Sequence, residues 1–347
     1  MTAHPTVELA AAQVLAAGRL ARRRTVFIAG SLTFVLLVVL VLSVTLGGSA
    51  SISLSDTLLA AAGRGDGLAD FVVFENRVPR SLTAVLAGAL FGLSGVVYQR
   101  LVMNVLATPD IIGVTAGAAA GGVVVLVLLE RSGVATQVGA LAGAFIAVTF
   151  IIALSAGGSA VVHRLVLVGI GISACFASVT NYVLAQADET GTERAMRWLV
   201  GSLHGAVWDD VRVLAVALTL SVVLLVLLVR DLDNLRLGDD IATSLGSRVR
   251  STRRGVLLVG AAMAAVSTSV VGPVAFIALV CGPIAARLDP RGGIFVPGLM
   301  GAILLLASDV AAQNAPLISP VPTGAITALI GAPVLVVLLV RRKASIR

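Results

Sequence analysis

Two arginines bracket a proline in "FENRVPRSLTAVLAGALFG", residues 74–92, just before a long apolar run. A guanidinium is always charged and presents a rigid fork of donors that matches a carboxylate, so Arg77 and Arg80 are suited to binding acidic groups. Pro79 between them is preset for the first turn of a helix and would fix their direction. A second stretch of chemical interest is "RDLDNLRLGDDIATSLGSRVRSTRRG", residues 230–255. Within it "LGDDIATSLG" can form a short helix. Asp239 and Asp240 would lie in its first turn, where the helix dipole favours anions, and Gly238 and Gly246 would mark its ends. Such a loop is either a solvated segment supplying positive charge or a docking element for a soluble partner.

Other chemistry is missing. There is no GxxxxGK[ST] phosphate loop, and the lone lysine, Lys343, lies near the end of the chain. His4, His163 and His204 are scattered, and no Ser/His/Asp set or metal-ligand spacing occurs. Cys175 and Cys281 sit far apart in apolar runs and read as two small buried hydrophobes. No catalytic centre, metal or cofactor is therefore expected on this chain. The net charge of +7 is mostly arginine in short loops, and aromatic residues make up 4%, so a nucleic-acid surface is not expected either.

The elements that must hold these residues are membrane helices. The 347 residues are 58% hydrophobic and 12% charged, with a mean hydropathy of +1.04, and a soluble protein carries about twice that share of charge. Apolar runs near 20 residues recur at 26–46, 81–100, 111–129, 134–154, 163–186, 211–229, 255–271, 274–287, 294–311 and 322–340. Each is about 30 Å long as a helix, the thickness of the hydrocarbon layer, and only helices and closed barrels satisfy their backbone there. The spacing thus predicts ten spans, an all-α polytopic membrane protein. No small-residue cleavage site follows a short apolar core, so the first span is expected to be retained.

Orientation follows from basic residues, which favour the cytoplasmic side. With both termini inside, only Arg64, Arg77, Arg80, Arg131, Arg194, Arg197 and Arg212 of the 25 basic residues fall outside. The opening pair stands among these exceptions. Small residues recur at helical spacing, at Gly113, Gly117 and Gly121 and at Gly88 and Gly92, and let helix backbones approach closely within or between subunits. No span carries a charged residue at its centre; Arg164, Arg212 and Asp309 lie near span ends, and Asn181 is uncharged. That argues against an ion-coupled secondary transporter, which remains the alternative of a different class because sodium can be held by carbonyls and hydroxyls.

Five ordered motifs resemble the permease subunits of ABC importers for ferric siderophores, haem and vitamin B12. "RVPRSLTAVLAGALFGLSGVVYQRLVMNVLATPDIIGVTAGAAAG" is similar to that family's most distinctive segment, with Asn104, Leu106, Ala107, Pro109 and Gly113 matching and Val105 in place of the usual proline. The others are "WLVGSL" at 198–203, "LGDDIATSLG" at 237–246, "GPVAFIALV" at 272–280 and "TGAITALIGAPV" at 323–334. The chain departs from the pattern at "CGPIAARL", where Gly282 and Pro283 replace a proline and a polar residue. It departs again before the tenth span, where Gln313, Asn314 and Pro320 stand in place of charged residues.

The resemblance implies a type II ABC importer permease architecture. A cytoplasmic tail at 1–25 would precede a transmembrane domain at 26–340, with a coupling loop at 230–254 and a cytoplasmic tail at 341–347. It implies a second permease subunit, identical or not, in the bacterial cytoplasmic membrane. Two ATPase subunits carrying the ATP and magnesium would receive Gly238, Asp239, Asp240, Ala242, Leu245 and Gly246, and an extracytoplasmic binding protein would meet Arg77 and Arg80. The cargo would be an iron–siderophore complex, with haem or cobalamin as alternatives. Ser173, Ser178, Thr180 and Asn181 of the fifth span are the expected lining of the pathway.

Overall fold

The apolar runs fold as helices, and the residues between them decide where each helix breaks. A computed structural model describes residues 5–47, 54–61, 67–155, 161–289, 293–315 and 321–344. The helices are α1 (Pro5–Leu46), α2 (Leu54–Ala61) and α3 (Gly67–Phe71), which runs through a π-helical turn (Val72–Arg77) into α4 (Val78–Val102). Next come α5 (Pro109–Ile112), α6 (Val114–Leu128), α7 (Val134–Ser155), α8 (Val161–Ala185), α9 (Glu189–Val200) and α10 (Trp208–Leu235). The remainder are α11 (Asp239–Ser244), α12 (Val249–Val271), α13 (Ile277–Leu288), α14 (Phe295–Gln313) and α15 (Thr323–Ala344). No strand occurs among the described residues.

Seven of these stretches are long and apolar enough to cross a membrane, and α6, α13 and the first part of α15 are shorter apolar helices. Together they coincide with the ten expected spans. Two boundaries differ. The segment read as an N-terminal tail is helical from Pro5, continuous with the first span. Pro79 does not begin a helix; it marks the change from π to α geometry inside a continuous one.

Helix α4 forms the centre, and most of its residues are buried. It packs against α10, α12, α13 and α14. The contact with α14 depends on Gly88 and Gly92 facing Gly301, where a Cβ on either side would meet the other helix's backbone. Gly117 and Gly121 of α6 face Gly139 and Gly143 of α7 in the same way. The small-residue faces therefore join helices within one subunit. Gly113 lies on neither face: it ends α5 with φ +99°.

Two helices fall short of a crossing. At about 1.5 Å per residue, α6 spans roughly 22 Å and α13 roughly 18 Å. Each follows a break, the turn at 103–108 with α5 in one case and Gly272–Phe276 in the other. The first break lies deep in the bundle, because Ile112 abuts Gly169 and Gly113 abuts Ser173, both interior positions of α8. Non-helical backbone at that depth is tolerated where protein buries it or where it lines a cavity.

Helix α9 lies outside the expected spans because "ETGTERAMRWLV" is too polar to read as one. Asp188 starts it, accepting from the Thr190 hydroxyl (2.7 Å) and from the Gly191 amide (2.8 Å). Those bonds, the Thr190 hydroxyl first, hold its carboxyl below the usual carboxylate range.

Candidate functional site

Three chain breaks meet at one junction. The Gly324 amide donates to the Gly201 carbonyl (3.0 Å), and the Ser202 amide donates to the Val271 carbonyl (2.9 Å). Gly201 and Gly272 adopt φ +83° and +76° and pack so closely that a Cβ on Gly272 would press on the Trp198 carbonyl. A Cβ on Gly324 would overlap the Val200 carbonyl. "WLVGSL", "GPVAFIALV" and "TGAITALIGAPV", separated by up to 120 residues of chain, thus form one structure.

A cavity of about 500 Å³ opens beside this junction. Its walls come from α6, the end of α9, Pro273–Ala275 and the first turns of α15, mostly through alanine and valine. Asp110 and Thr115 add a polar spot. A wall of small apolar side chains leaves room and makes few tight contacts, which suits passage better than retention.

The two arginines of "RVPR" are turned inward. Arg77 is 5% exposed. Its Nη1 donates to the carbonyls of Val44 (3.0 Å) and Thr45 (3.3 Å) and to the Thr57 hydroxyl (3.4 Å). The carbonyls belong to the last turn of α1, and Arg77 donates to both, so it caps the end of that helix. Arg80 makes a bidentate pair with the fully buried Asp309 of α14, Nε to Oδ2 at 3.0 Å and Nη2 to Oδ1 at 2.9 Å. Asp309 also accepts from Thr323 (2.7 Å) at the start of α15 and from Gln313 (2.6 Å). The sequence expectation placed both guanidinium groups on a docking surface. In this structure they tie α1, α14 and α15 to α4.

At the opposite end of α4 lies α11. Gly238 (φ +99°) and Gly246 (φ +84°) flank it as expected. Asp239 does more than face the helix dipole: its carboxylate accepts two bonds from Arg253 of α12, at 2.7 and 2.9 Å. Ser247 donates to Asp231 (2.8 Å) and accepts from Asn234 (2.9 Å), closing the loop. Ala242 is buried, while Leu237, Ile241 and Leu245 are 56%, 52% and 55% exposed. Leu245 was among the expected coupling residues; Leu237 and Ile241, exposed beside it, were not, although their four-residue spacing is legible.

The four expected pathway residues divide. Ser178 and Asn181 are exposed on α8, with the Ser178 hydroxyl bonded to the Ala174 carbonyl (2.9 Å). Thr180 is buried and Ser173 half-buried; each hydroxyl bonds a carbonyl one turn earlier, and Ser173 abuts Gly113. Cys175 is exposed, Cys281 is buried, and both are free thiols. Among the described residues, no group of three His, Cys, Asp or Glu could hold a metal ion.

The family model of the FecCD transport family matches residues 35–341. The chain belongs to the FecCD transport family. It is 33% identical to the ferric enterobactin transport system permease protein FepG of Escherichia coli (strain K12), over 85% of this chain and 90% of that protein. It is 36% identical to the Fe(3+) dicitrate transport system permease protein FecD of the same strain, over 79% and 86%. The cobalamin import system permease protein BtuC of Halobacterium salinarum is 33% identical over 78% and 74%. Among solved structures, an inward-facing metal-chelate type ABC transporter superposes with a TM-score of 0.80 at 27% identity, covering 90% of this chain and 99% of that one.

Four of the departures, at Val105, Gly282, Pro283 and Gln313, have physical counterparts in the structure. Pro283 lacks an N–H and leaves the Leu279 carbonyl without its helical donor. Gln99 of α4 supplies one, its Nε2 lying 3.0 Å from that oxygen and 3.4 Å from the Ala278 carbonyl. Gly282 leaves the room, because a Cβ there would overlap the Gln99 amide. In the "NVLA" turn, the Asn104 side chain accepts from the Leu106 amide (3.0 Å), so the turn closes without the usual proline. Gln313 adds a neutral donor to an Asp309 already paired with Arg80, where no second positive charge is required. Pro320 lies outside the described residues.

Proposed function

We propose that this FecCD chain is the membrane-spanning subunit of an ATP-driven importer for an iron–siderophore chelate. A second permease subunit would complete the pathway, two cytoplasmic ATPases would seat on α11, and an extracytoplasmic binding protein would deliver cargo. The observation that carries the reading is that Leu237, Ile241 and Leu245 are exposed on and beside α11, in a loop pinned by polar contacts, in a chain without a phosphate loop of its own. Apolar side chains held out in a charged loop support a protein partner there. The chelate is supported by the names of the relatives, which transport ferric enterobactin and ferric dicitrate. The cobalamin permease relative favours a second cargo for the same machine.

In this reading the α11 end and both termini are cytoplasmic, which agrees with the distribution of arginine. Arg77 and Arg80 take a role different from direct docking. They brace the outer ends of α1, α14 and α15, and so hold the surface on which the binding protein sits. The test is deletion of residues 238–246, or Gly246→Asp. Either should abolish uptake and ATPase co-purification while the subunit stays in the membrane. Survival of both activities would refute the assignment.

A further inference from the structure

We infer that Asp110, held by Thr115 in the cavity at the helix junction, is a binding point for a cationic or N–H-donating group of the transported solute. This rests on the importer reading and names a specificity-determining residue within it. The Thr115 hydroxyl donates to Asp110 Oδ1 at 2.5 Å and fixes the carboxylate on the cavity side of the break between α5 and α6. Asp110 is half-buried, and among the described residues no basic residue lies on the cavity wall. The carboxylate therefore has no neutralising partner there. The rest of the wall is small and apolar, with Ala116, Ala119, Ala325 and Ala328 among its residues.

Depth gives this arrangement its consequence. The neighbouring Ile112 and Gly113 pack on the interior of α8, so Asp110 lies within the bundle rather than at a loop tip. A charged group at depth is stable only beside polar partners or water, and in transport proteins it marks a solute or ion pathway. A carboxylate in an apolar cavity favours ammonium and amide donors and disfavours anions. The sequence offered little sign of this, since Asp110 stands next to Pro109 at the edge of a span.

The experiment uses the full-length subunit in membranes, with Cys175→Ser and a single reporter, Ala325→Cys. Labelling rates are measured with cationic trimethylammonioethyl methanethiosulfonate and with anionic sulfonatoethyl methanethiosulfonate. The ratio of cationic to anionic rate should fall about fivefold or more in Asp110→Asn and stay near the original in Asp110→Glu. Ferrioxamine B, which carries a free ammonium, should slow labelling in the Asp110 protein, and its N-acetylated form should not. An unreactive reporter, an unchanged ratio, or equal protection by both chelates would overturn the inference. No ATPase or binding protein enters these measurements, so their failure is separable from failure of the importer reading.

Discussion

The side-chain amide of Gln99 donates to the Leu279 carbonyl, the acceptor that Pro283 leaves open four residues along α13. The two departures at Gly282 and Pro283 and the side chain of Gln99 thereby form one adjustment. Proline opens the acceptor, glutamine fills it, and glycine at 282 makes the space. Residues that share a hydrogen bond do not contribute additively. Gln99→Ala should destabilise the subunit by about 1–3 kcal/mol, the cost of leaving a buried acceptor unmade. In a Pro283→Ala background the same change should cost far less. Thermal unfolding of the four proteins in detergent measures the coupling, and additive effects would show that the two residues act independently.

The Arg80–Asp309 pair gives the second expectation. Removing one member of a buried pair strands the other charge, at roughly 3–5 kcal/mol, whereas replacing both by apolar residues is often neutral. Arg80→Met or Asp309→Leu alone should lower membrane abundance and thermal stability sharply. The double variant should recover much of the loss. If Arg80→Met alone folds normally but uptake fails only at low binding-protein concentration, the bracing role gives way to direct docking.

A third expectation concerns α11. Leu237, Ile241 and Leu245 are exposed, so truncating all three to alanine should leave stability within about 0.5 kcal/mol per site. Residues at the centre of an interface often cost about 2 kcal/mol or more each when truncated. The triple variant should therefore lose ATPase co-purification by at least about tenfold, since every 1.4 kcal/mol or so is a factor of ten. Normal co-purification would move the ATPase contact elsewhere on the chain.

Topology is the fourth. In a Cys175→Ser background, a cysteine replacing Thr190 should react with an impermeant thiol reagent added outside intact cells. One replacing Arg250 should react only after the membrane is opened. Cys281 is buried and should stay silent in both. Reversed labelling at either position would invert the orientation, and with it the sides assigned to α11 and to the arginine brace.

Sequence alone determined what depends on solvent and spacing. Hydrocarbon accepts a helix only when a run of about 20 residues is apolar, so the ten spans are legible without tertiary information. Gly88 and Gly92 announced a close helix contact, because only small residues let backbones approach. The ends of α11 followed from Gly238 and Gly246. The tertiary structure decided what depends on partners far away in the chain. That Arg80 meets Asp309, 229 residues later, is not written in either neighbourhood, and a guanidinium fork suits an internal carboxylate as well as an external one. Ser173 and Thr180 read as pathway residues because they are polar; that each hydroxyl bonds a carbonyl one turn earlier in its own helix is decided only by the folded structure. Asp110 stands just before an expected span; only the fold of the break around Ile112 and Gly113 placed it on the wall of the cavity at the helix junction.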